Sequence, residues 1–356
     1  MTATKIKPSV IFFCGHQSPY GLAHLESLLQ SGFELSAVVL ATDSRWERFR
    51  RDLNGESSVE YRDGWKWLKK QIKRLLPGTA RRALGIQLPP RALAKRLLRD
   101  TGVQVWDCAD VNSSSFVEEV RQASPDILVS AAYPQIFSGQ LLDVPLRGAV
   151  NFHPSLLPKF RGAHPHFWAI ASGAKTSGVT AHFMTEELDK GDVIAQVAFP
   201  IEEYTYTDLY ARIVEETPRL VEKVEAFFFD ESASAQPQDD QEATFFRNDR
   251  EVHHRISWTA YSAETIVHLI RTERAFCFFR GRRITLRLAK VAKTNRNLTN
   301  NVQLDPGTVV DLNGHGVVVK AVDDCVYVRE LESRFRRWPH EKWAQSCRLL
   351  IGEQFT

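Results

Sequence analysis

The sequence predicts an α/β protein of two domains, in which a doubly wound parallel sheet is followed by a smaller, mainly antiparallel β domain. Through residue 230, short apolar runs alternate with stretches of helical spacing, which is the order that parallel sheets require. Beyond residue 243, short runs are separated by turn residues, as in a small β-barrel. The 356 residues also exceed the roughly 250–300 at which single cores stop growing.

Each element of the first domain has its own pattern. Apolar runs of strand length occupy residues 10–13, 35–40, 103–106, 126–131, 149–152, 179–183 and 193–199. Helical spacing of apolar residues predicts helices over residues 22–30, 91–99, 116–123 and 207–229. Ligands of such sheets bind beyond the carboxyl ends of the strands, so the residues that end these runs are candidates for chemistry.

Residues 231–243 are small, polar and without periodicity, and we interpret them as a linker. This interpretation gives a first domain of residues 1–230 and a mainly β domain of residues 244–356. In the second domain a helix is predicted over residues 263–271. Strands are predicted there over residues 277–280, 283–288, 307–310, 317–322 and 325–331.

Composition is typical of a soluble protein from a reducing compartment. Hydrophobic residues make up 43% of the chain and charged residues 25%. The first apolar run is too short for a signal-peptide core or a membrane span. Five scattered cysteines without C-x-x-C spacing indicate neither a disulfide framework nor a zinc site. We therefore expect a cytoplasmic protein with no bound metal.

The overall charge of +3 conceals a strongly basic segment at residues 45–99. It contains 16 Lys and Arg against five Asp and Glu, so it carries +11 and the remainder of the chain −8. In its middle, apolar residues at helical spacing between Tyr61 and Leu76 alternate with lysines. A membrane-surface helix, a tRNA-backbone patch and a dock for an acidic carrier or nucleotide fit this pattern. A helix that packs its apolar stripe on the domain fits it equally.

Two blocks at the ends of predicted strands concentrate residue types that carry chemistry. Residues 151–162 read Asn-Phe-His-Pro-Ser-Leu-Leu-Pro-Lys-Phe-Arg-Gly. Residues 178–183 read Gly-Val-Thr-Ala-His-Phe, and residues 188–192 read Leu-Asp-Lys-Gly-Asp. An amide, an imidazole and a carboxylate can together polarise a carbonyl, stabilise an oxyanion and move a proton from an attacking amine. The blocks therefore predict acyl transfer without a covalent intermediate.

In this order the blocks resemble the formyltransferase family that uses 10-formyltetrahydrofolate, and the resemblance covers nearly the whole first domain. Residues 244 to about 331 resemble, more weakly, the C-terminal β-domain of methionyl-tRNA and amino-sugar formyltransferases. There, Ile256-Ser257-Trp258 stands where many relatives have Ile-Asp-Trp. The resemblance implies a Rossmann-like formyltransferase domain and one-carbon transfer with 10-formyltetrahydrofolate as co-substrate.

The resemblance implies catalytic roles for Asn151, His153 and Asp189. His153 would stabilise the negative charge that develops on the formyl oxygen, and Asn151 would donate a second hydrogen bond to that oxygen. Asp189 would orient His153 and accept, directly or through water, the proton shed by the attacking amine. For His182 we expect a supporting role, because a histidine on an apolar strand is more often a structural hydrogen-bonding residue.

The pterin ring of the folate needs a flat slot lined by backbone donors and acceptors. In relatives, one wall is the loop after the strand that precedes the Asn-x-His block, which corresponds here to Gln135, Ile136 and Phe137. The other wall is the loop before the aspartate, which corresponds here to Met184, Thr185, Glu186, Glu187 and Leu188. Pro134 stands where many members have glycine, so we expect the first hydrogen bond of the slot to differ.

We expect a small-molecule amine as the formyl acceptor, most naturally a nucleotide-linked amino sugar, because residues 244–258 resemble the equivalent junction in such enzymes. Methionyl-tRNA is the leading alternative, favoured by the domain order. Relatives that act on it usually have a short glycine- and arginine-rich loop where this chain has its longer basic segment. An aminoacyl-carrier formyltransferase and a non-catalytic folate- or RNA-binding protein also stay open, and no DNA partner is expected.

The loop after the first predicted strand lacks a G-x-G-x-x-G fingerprint, which argues against a nicotinamide cofactor. It also lacks the Gly-Ser-Asn-rich phosphate loop of glycinamide ribonucleotide formyltransferases. Purine synthesis is therefore not the expected function.

Overall fold

The structure, a computed structural model, describes residues 7–15, 17–42, 90–292, 304–313, 316–333, 336–339 and 349–356. The helical pattern between Tyr61 and Leu76, in the middle of the basic segment, lies outside these residues. The described chain forms two compact units. The first contains Met1–Gly162, Ser177–Phe199 and Tyr210–Phe246, and the second contains Ala163–Thr176, Pro200–Leu209 and Arg247–Thr356. The linear bounds at residues 230 and 243 stay predictions.

A seven-stranded sheet forms the centre of the first unit. Its strands are β1 (Ser9–Cys14), β2 (Glu34–Ala41), β3 (Gln104–Cys108), β4 (Ile127–Ala131), β5 (Ala149–His153), β7 (Thr176–Phe183) and β8 (Val193–Pro200). The order across the sheet is β3-β2-β1-β4-β5-β7-β8, and the pairs from β3 to β5 are parallel. β7 runs antiparallel to β5, so the sheet is mixed. The predicted α/β fold is confirmed with all seven runs as strands.

Helices in chain order are α1 (Pro19–Gln30), α2 (Pro90–Leu97), α3 (Ser114–Ala123), α4 (Gly139–Leu142), α5 (Pro165–Ala171), α6 (Tyr206–Glu215), α7 (Thr217–Phe229), α8 (Glu251–His254) and α9 (Ala263–Arg271). The single helix predicted over residues 207–229 is wrong. The structure has two helices there, α6 and α7, which are separated at Glu216. Pro218 lies in the first turn of α7, where its missing backbone N–H costs no hydrogen bond.

The second unit contains an antiparallel sheet of β10 (Phe276–Phe279), β11 (Arg282–Ala292), β12 (Val309–Asn313), β13 (Gly316–Lys320), β14 (Cys325–Ser333) and β15 (Arg336–Pro339). Its core includes buried Ile266 and Ile270 of α9 with Val317 and Val328 of the sheet. The predicted smaller β domain and the helix at 263–271 are confirmed. Among the described residues, no helix combines the length and apolarity needed to cross a membrane.

The antiparallel pairing of β5 with β7 positions the site. Asn151 lies opposite His182, and His153 lies opposite Thr180. Directly opposed residues of an antiparallel pair share a face, and so do residues two apart on a strand. The register therefore collects these four side chains on one face of the sheet, at the carboxyl end of β5.

Candidate active site

Asn151 and His182 form the first pair of the site. The Asn151 Nδ2 atom lies 3.3 Å from His182 Nε2, and His182 Nδ1 donates to the Phe183 carbonyl at 2.7 Å. Because the carbonyl requires a proton on Nδ1, Nε2 accepts an N–H of the Asn151 amide whenever it carries no proton of its own. That amide keeps a second N–H, which can be donated to a bound carbonyl.

His153 ends β5 and is buried. Its Nε2 donates to the Phe160 carbonyl at 2.9 Å, and its Nδ1 lies 3.6 Å from Asp189 Oδ1. An acceptor therefore lies beside each ring nitrogen. The Nε2 atom therefore carries a proton, and a second proton on Nδ1 would place a positive charge beside the Asp189 carboxylate.

Asp189 lies in the loop after β7, in a turn where its φ is +56°. Its Oδ2 accepts the backbone N–H of Gly162 at 2.8 Å. Its Oδ1 is 3.6 Å from both His153 Nδ1 and His182 Nε2. The structure thus brings together all three predicted catalytic residues, and it places His182 beside them.

The electrostatic environment keeps the Asp189 carboxylate ionised. Burial alone would raise the pKa of this carboxyl, but the charge of His153, the interactions with His182 and the Gly162 N–H lower it to about 2. Asp189 is consequently a fixed negative charge at neutral pH. It is also a weak base.

Thr180 supports the loop that follows β5. Its side chain is fully buried and donates to the Ser155 carbonyl at 2.6 Å. It also accepts the backbone N–H of Leu157 at 3.2 Å and a side-chain N–H of Gln196 at 2.9 Å. The loop that leads from His153 to Phe160 is therefore tied to β7 and β8.

The first predicted cofactor loop is hydrogen-bonded to the loop before α3. Gln135 Oε1 accepts the Val111 N–H at 3.0 Å, and Asn112 donates to the Ile136 carbonyl at 2.9 Å. Phe137 is buried against Phe13, with ring centroids 4.5 Å apart. Ile136 is 65% exposed. Of these loop residues, Ile136 presents a free apolar side chain and Phe137 belongs to the core.

The second predicted cofactor loop lies against the first. Met184 packs on the cluster that contains Phe137, and its N–H donates to the Ala149 carbonyl at 2.7 Å. A Cβ atom on Gly139 would lie 2.3 Å from Glu186 Oε1, so this carboxylate covers the start of α4. Thr185 Oγ1 donates to the Glu187 carbonyl at 2.9 Å, and Leu188 is 44% exposed. The two loops lie side by side, each with an exposed apolar side chain.

Three contributors to the site were not predicted. The Gly162 N–H on Asp189 and the Thr180 network depend on backbone placement, although Arg-Gly and Gly-Val-Thr are visible in the motif. The third is Gln238, in the presumed linker, which donates to the Asp189 carbonyl at 2.9 Å.

Within the described residues, no group of three or more His, Cys, Asp or Glu is arranged to hold a metal ion.

Comparisons with known proteins identify the family. Residues 83–224 match the family described as "Formyl transferase", and residues 251–347 match "Formyl transferase, C-terminal domain". A methionyl-tRNA formyltransferase from Fusobacterium nucleatum is 33% identical over 232 residues, which cover 64% of this chain and 73% of the relative.

A solved structure of a sugar formyl transferase shares the fold. WlaRD, a sugar 3N-formyl transferase crystallised in the presence of dTDP and 5-N-formyl-THF, matches with a TM-score of 0.60 and 15% identity, over 93% of this chain and 99% of that one. HypX from Aquifex aeolicus in complex with tetrahydrofolic acid matches 72% of this chain with a TM-score of 0.49 and 19% identity, and this chain spans 45% of the HypX chain. The chain belongs to the formyltransferase family, whose members take their formyl group from 10-formyltetrahydrofolate.

Proposed function

We propose that Asn151, His153 and Asp189 catalyse formyl transfer from 10-formyltetrahydrofolate to a primary amine of a small acceptor, most naturally a nucleotide-linked amino sugar. One observation carries the catalytic assignment. At the carboxyl end of β5, an amide, two imidazoles and a carboxylate are linked by separations of 3.3 to 3.6 Å. This is the combination that acyl transfer to an amine requires.

In this reaction the acceptor nitrogen forms a bond to the formyl carbon, and the carbonyl oxygen becomes an oxyanion. The remaining N–H of Asn151 and the positive charge of His153 stabilise that oxyanion. Cleavage of the bond between the formyl carbon and the folate nitrogen then yields the formamide. The proton that the amine loses ends on the folate nitrogen, giving tetrahydrofolate.

Asp189 acts chiefly as the counter-charge that keeps His153 protonated and oriented. A carboxyl with a pKa of about 2 is a poor direct base for an ammonium group. Its negative charge nevertheless stabilises the ammonium group of the zwitterionic intermediate, so it favours attack by the amine and a proton relay through water.

The two loops at residues 135–137 and 184–188 are proposed to hold the folate. Ile136 and Leu188 are the exposed apolar side chains on neighbouring loops, which suits the faces of a flat ring. The backbone between them supplies hydrogen-bonding groups. The Ile136 carbonyl accepts one hydrogen bond from Asn112 and keeps a second lone pair for the ring edge.

The proposed acceptor class rests on the sequence of this chain. The basic segment at residues 45–99 replaces the short loop usual in relatives that act on tRNA, and residues 244–258 resemble the junction of amino-sugar enzymes. In the second unit, exposed Arg280 and Arg283 are paired with Glu353 and Glu251. Such pairing weakens the positive field that a polyanion would need.

Methionyl-tRNA is the second candidate acceptor, favoured by the identity of 33% to a methionyl-tRNA formyltransferase that this chain covers over most of its length. The two candidates can be separated directly. The protein is incubated with 10-formyltetrahydrofolate and, in parallel, with pools of nucleotide-linked amino sugars, methionyl-tRNA and aminoacyl carriers.

Mass spectrometry then identifies any product that gains a formyl group, and absorbance follows tetrahydrofolate release. We expect formylation in the nucleotide-sugar pool, and its loss in the Asn151→Ala protein. Formylation of methionyl-tRNA alone would replace the proposed acceptor. Folate binding without tetrahydrofolate release in any pool would contradict the enzymatic proposal.

A further inference from the structure

The segment after α7 runs along the turn that carries Asp189. At its start, the Val193 N–H donates to the Gln236 carbonyl at 2.7 Å, and the Gln236 N–H donates back to the Val193 carbonyl at 2.8 Å. At its end, Phe245–Phe246 forms strand β9, which pairs with Arg161–Gly162, strand β6. We call residues 236–246 the strap. One end of the strap is thus hydrogen-bonded to the first residue of β8, and the other end is paired with β6.

Gln238 is the residue of the strap that contacts the Asp189 turn. Its Nε2 donates to the carbonyls of Asp189 and Gly191 at 2.9 and 2.7 Å. Its Oε1 accepts from Nε and Nη2 of Arg161 at 3.0 and 2.8 Å. Each end of the carboxamide thus meets partners of the opposite kind, which defines the orientation of the amide.

Arg161 strengthens this arrangement. Its side chain is buried, and its Nη1 donates to Asp240 at 2.9 Å. A guanidinium on the oxygen of an amide polarises the amide, so the N–H groups of Gln238 become stronger donors to the two carbonyls.

The Asp189 turn needs such support. Asp189 has a φ of +56°, a conformation that residues other than glycine keep only when their surroundings impose it. Two residues on, a Cβ atom at Gly191 would lie 2.1 Å from the Phe183 carbonyl oxygen, so the turn approaches β7 closely. The Gln238 bonds bracket this turn, because they hold the carbonyls of its first and third residues.

We propose that Gln238 is a positioning residue for formyl transfer, which holds the Asp189 turn so that the carboxylate stays between His153 and His182. The inference rests on the proposed catalytic role of Asp189. Displacement of a reacting group by about 1 Å can cost up to a hundredfold in rate. Loss of Gln238 should therefore lower kcat more than it raises the KM for either substrate.

Two substitutions separate the donor function from the anchoring of Arg161. Gln238→Met keeps the length of the side chain and removes both hydrogen-bonding atoms. Gln238→Glu keeps an acceptor for Arg161 but turns an oxygen toward the two carbonyls, so it tests the donor even if the Met variant is unstable. Gln241→Met and Gln241→Glu are matched controls, since Gln241 is an exposed strap residue three positions away.

We expect kcat to fall at least about tenfold in both Gln238 variants. The KM for 10-formyltetrahydrofolate should stay within about threefold, and the Gln241 variants should match the unmodified protein. Unchanged kcat in Gln238→Glu would overturn the proposal.

A second measurement does not depend on turnover. Titration of the Asp189 carboxyl by carbon NMR should show its pKa rising from about 2 toward the ordinary value in Gln238→Met, because the released turn withdraws the carboxylate from the two imidazoles and the Gly162 N–H. An unmoved pKa would overturn the positioning role even if kcat fell. Normal turnover in Asp189→Asn would instead overturn the catalytic role proposed for Asp189. The titration in Gln238→Met would still decide whether Gln238 holds the Asp189 turn.

Discussion

At the scale of single residues, the site combines groups whose removal has different physical consequences. In the proposed mechanism, Asn151→Ala removes a neutral donor, His153→Ala a cation and Asp189→Ala the fixed anion beside that cation. Only the last two leave an opposite charge buried without its partner, which is the costlier change for stability.

We expect each of these three alanine variants to lose at least about a hundredfold in turnover, since loss of one preorganised donor or proton acceptor commonly costs 10²–10³. Tetrahydrofolate release with the identified acceptor measures the loss, and circular dichroism checks that the fold survives. Asp192→Ala is the matched control, because this carboxylate is exposed and three residues from Asp189. Near-normal turnover of any of the three variants would remove that residue from the mechanism.

The depressed pKa of Asp189 also predicts how stability depends on pH. A carboxyl whose pKa is lower in the folded state than in the unfolded chain stabilises the fold fully above the unfolded value, near 4, and this stabilisation is lost as pH falls toward the folded value of about 2. The lowering of this pKa from 3.8 to about 2 corresponds to roughly 2–3 kcal/mol of stability.

Urea unfolding at pH 5 and pH 3 tests this expectation in the unmodified protein and in Asp189→Asn. The unmodified protein should lose more stability between these pH values than the variant. Asp249 contributes in the same acid range: burial would raise the pKa of its carboxyl, but His164, His254 and Arg274 lower it strongly. The difference between the two proteins, rather than either curve, therefore reports on Asp189. Parallel curves would contradict the prediction.

At the scale of elements, the short strand β6 links catalysis to the strap. Gly162 has a φ of +95°, and a Cβ atom there would lie 2.1 Å from the Phe246 carbonyl oxygen. Its N–H also donates to Asp189. An alanine at this position must separate β6 from β9, and the separation must shift a hydrogen bond of the Asp189 carboxylate.

We therefore predict that Gly162→Ala lowers both the unfolding midpoint and kcat, the latter by at least about tenfold. Gly102→Ala is the matched control, since Gly102 has a φ of +76° but no atom within 4 Å of its Cβ position. The control should show only the small cost of the backbone conformation. Equal effects of the two substitutions would mean that the approach of β6 to β9 is unimportant for the site.

The elements of this chain differ in how far the sequence predicts them. Strands such as β1 and β4 are continuous apolar runs because they are buried on both faces, so local pattern suffices. The break at Glu216 was missed because helical periodicity continues across it, although Pro218 marks it. The contacts of Thr180 and Gln238 depend on strand register and on a polar segment without periodicity. Local pattern carries no information about either.

At the scale of the whole molecule, motif order singled out three residues that the structure brings together, although they are distant along the chain. Asn151 and Asp189 are 38 positions apart, and the register of β5 with β7 brings them together through His182. The division into units is different in kind. Residues 163–176 and 200–209 belong to the second unit while the segments around them belong to the first, and the linear bounds at residues 230 and 243 stay predictions.

The class of acceptor is a property of the whole molecule, because it depends on charge spread over the chain. A polyanion contacted by many basic residues binds with an affinity that falls steeply with salt, whereas a small nucleotide sugar meets only a few charges. For the proposed acceptor we predict that KM depends weakly on salt between about 50 and 200 mM.

Reversal of four positive charges in the basic segment to glutamate, at Lys69, Lys70, Lys73 and Arg74, tests the same point from the protein side. Turnover of a small acceptor should stay within a few-fold, because few of the segment's charges meet such a ligand. The same four residues changed to glutamine form the control, which separates the loss of positive charge from the gain of negative charge. If the reversal abolishes formylation of methionyl-tRNA that the unmodified protein formylates efficiently, the segment binds the tRNA backbone, and the amino-sugar proposal gives way to the tRNA alternative.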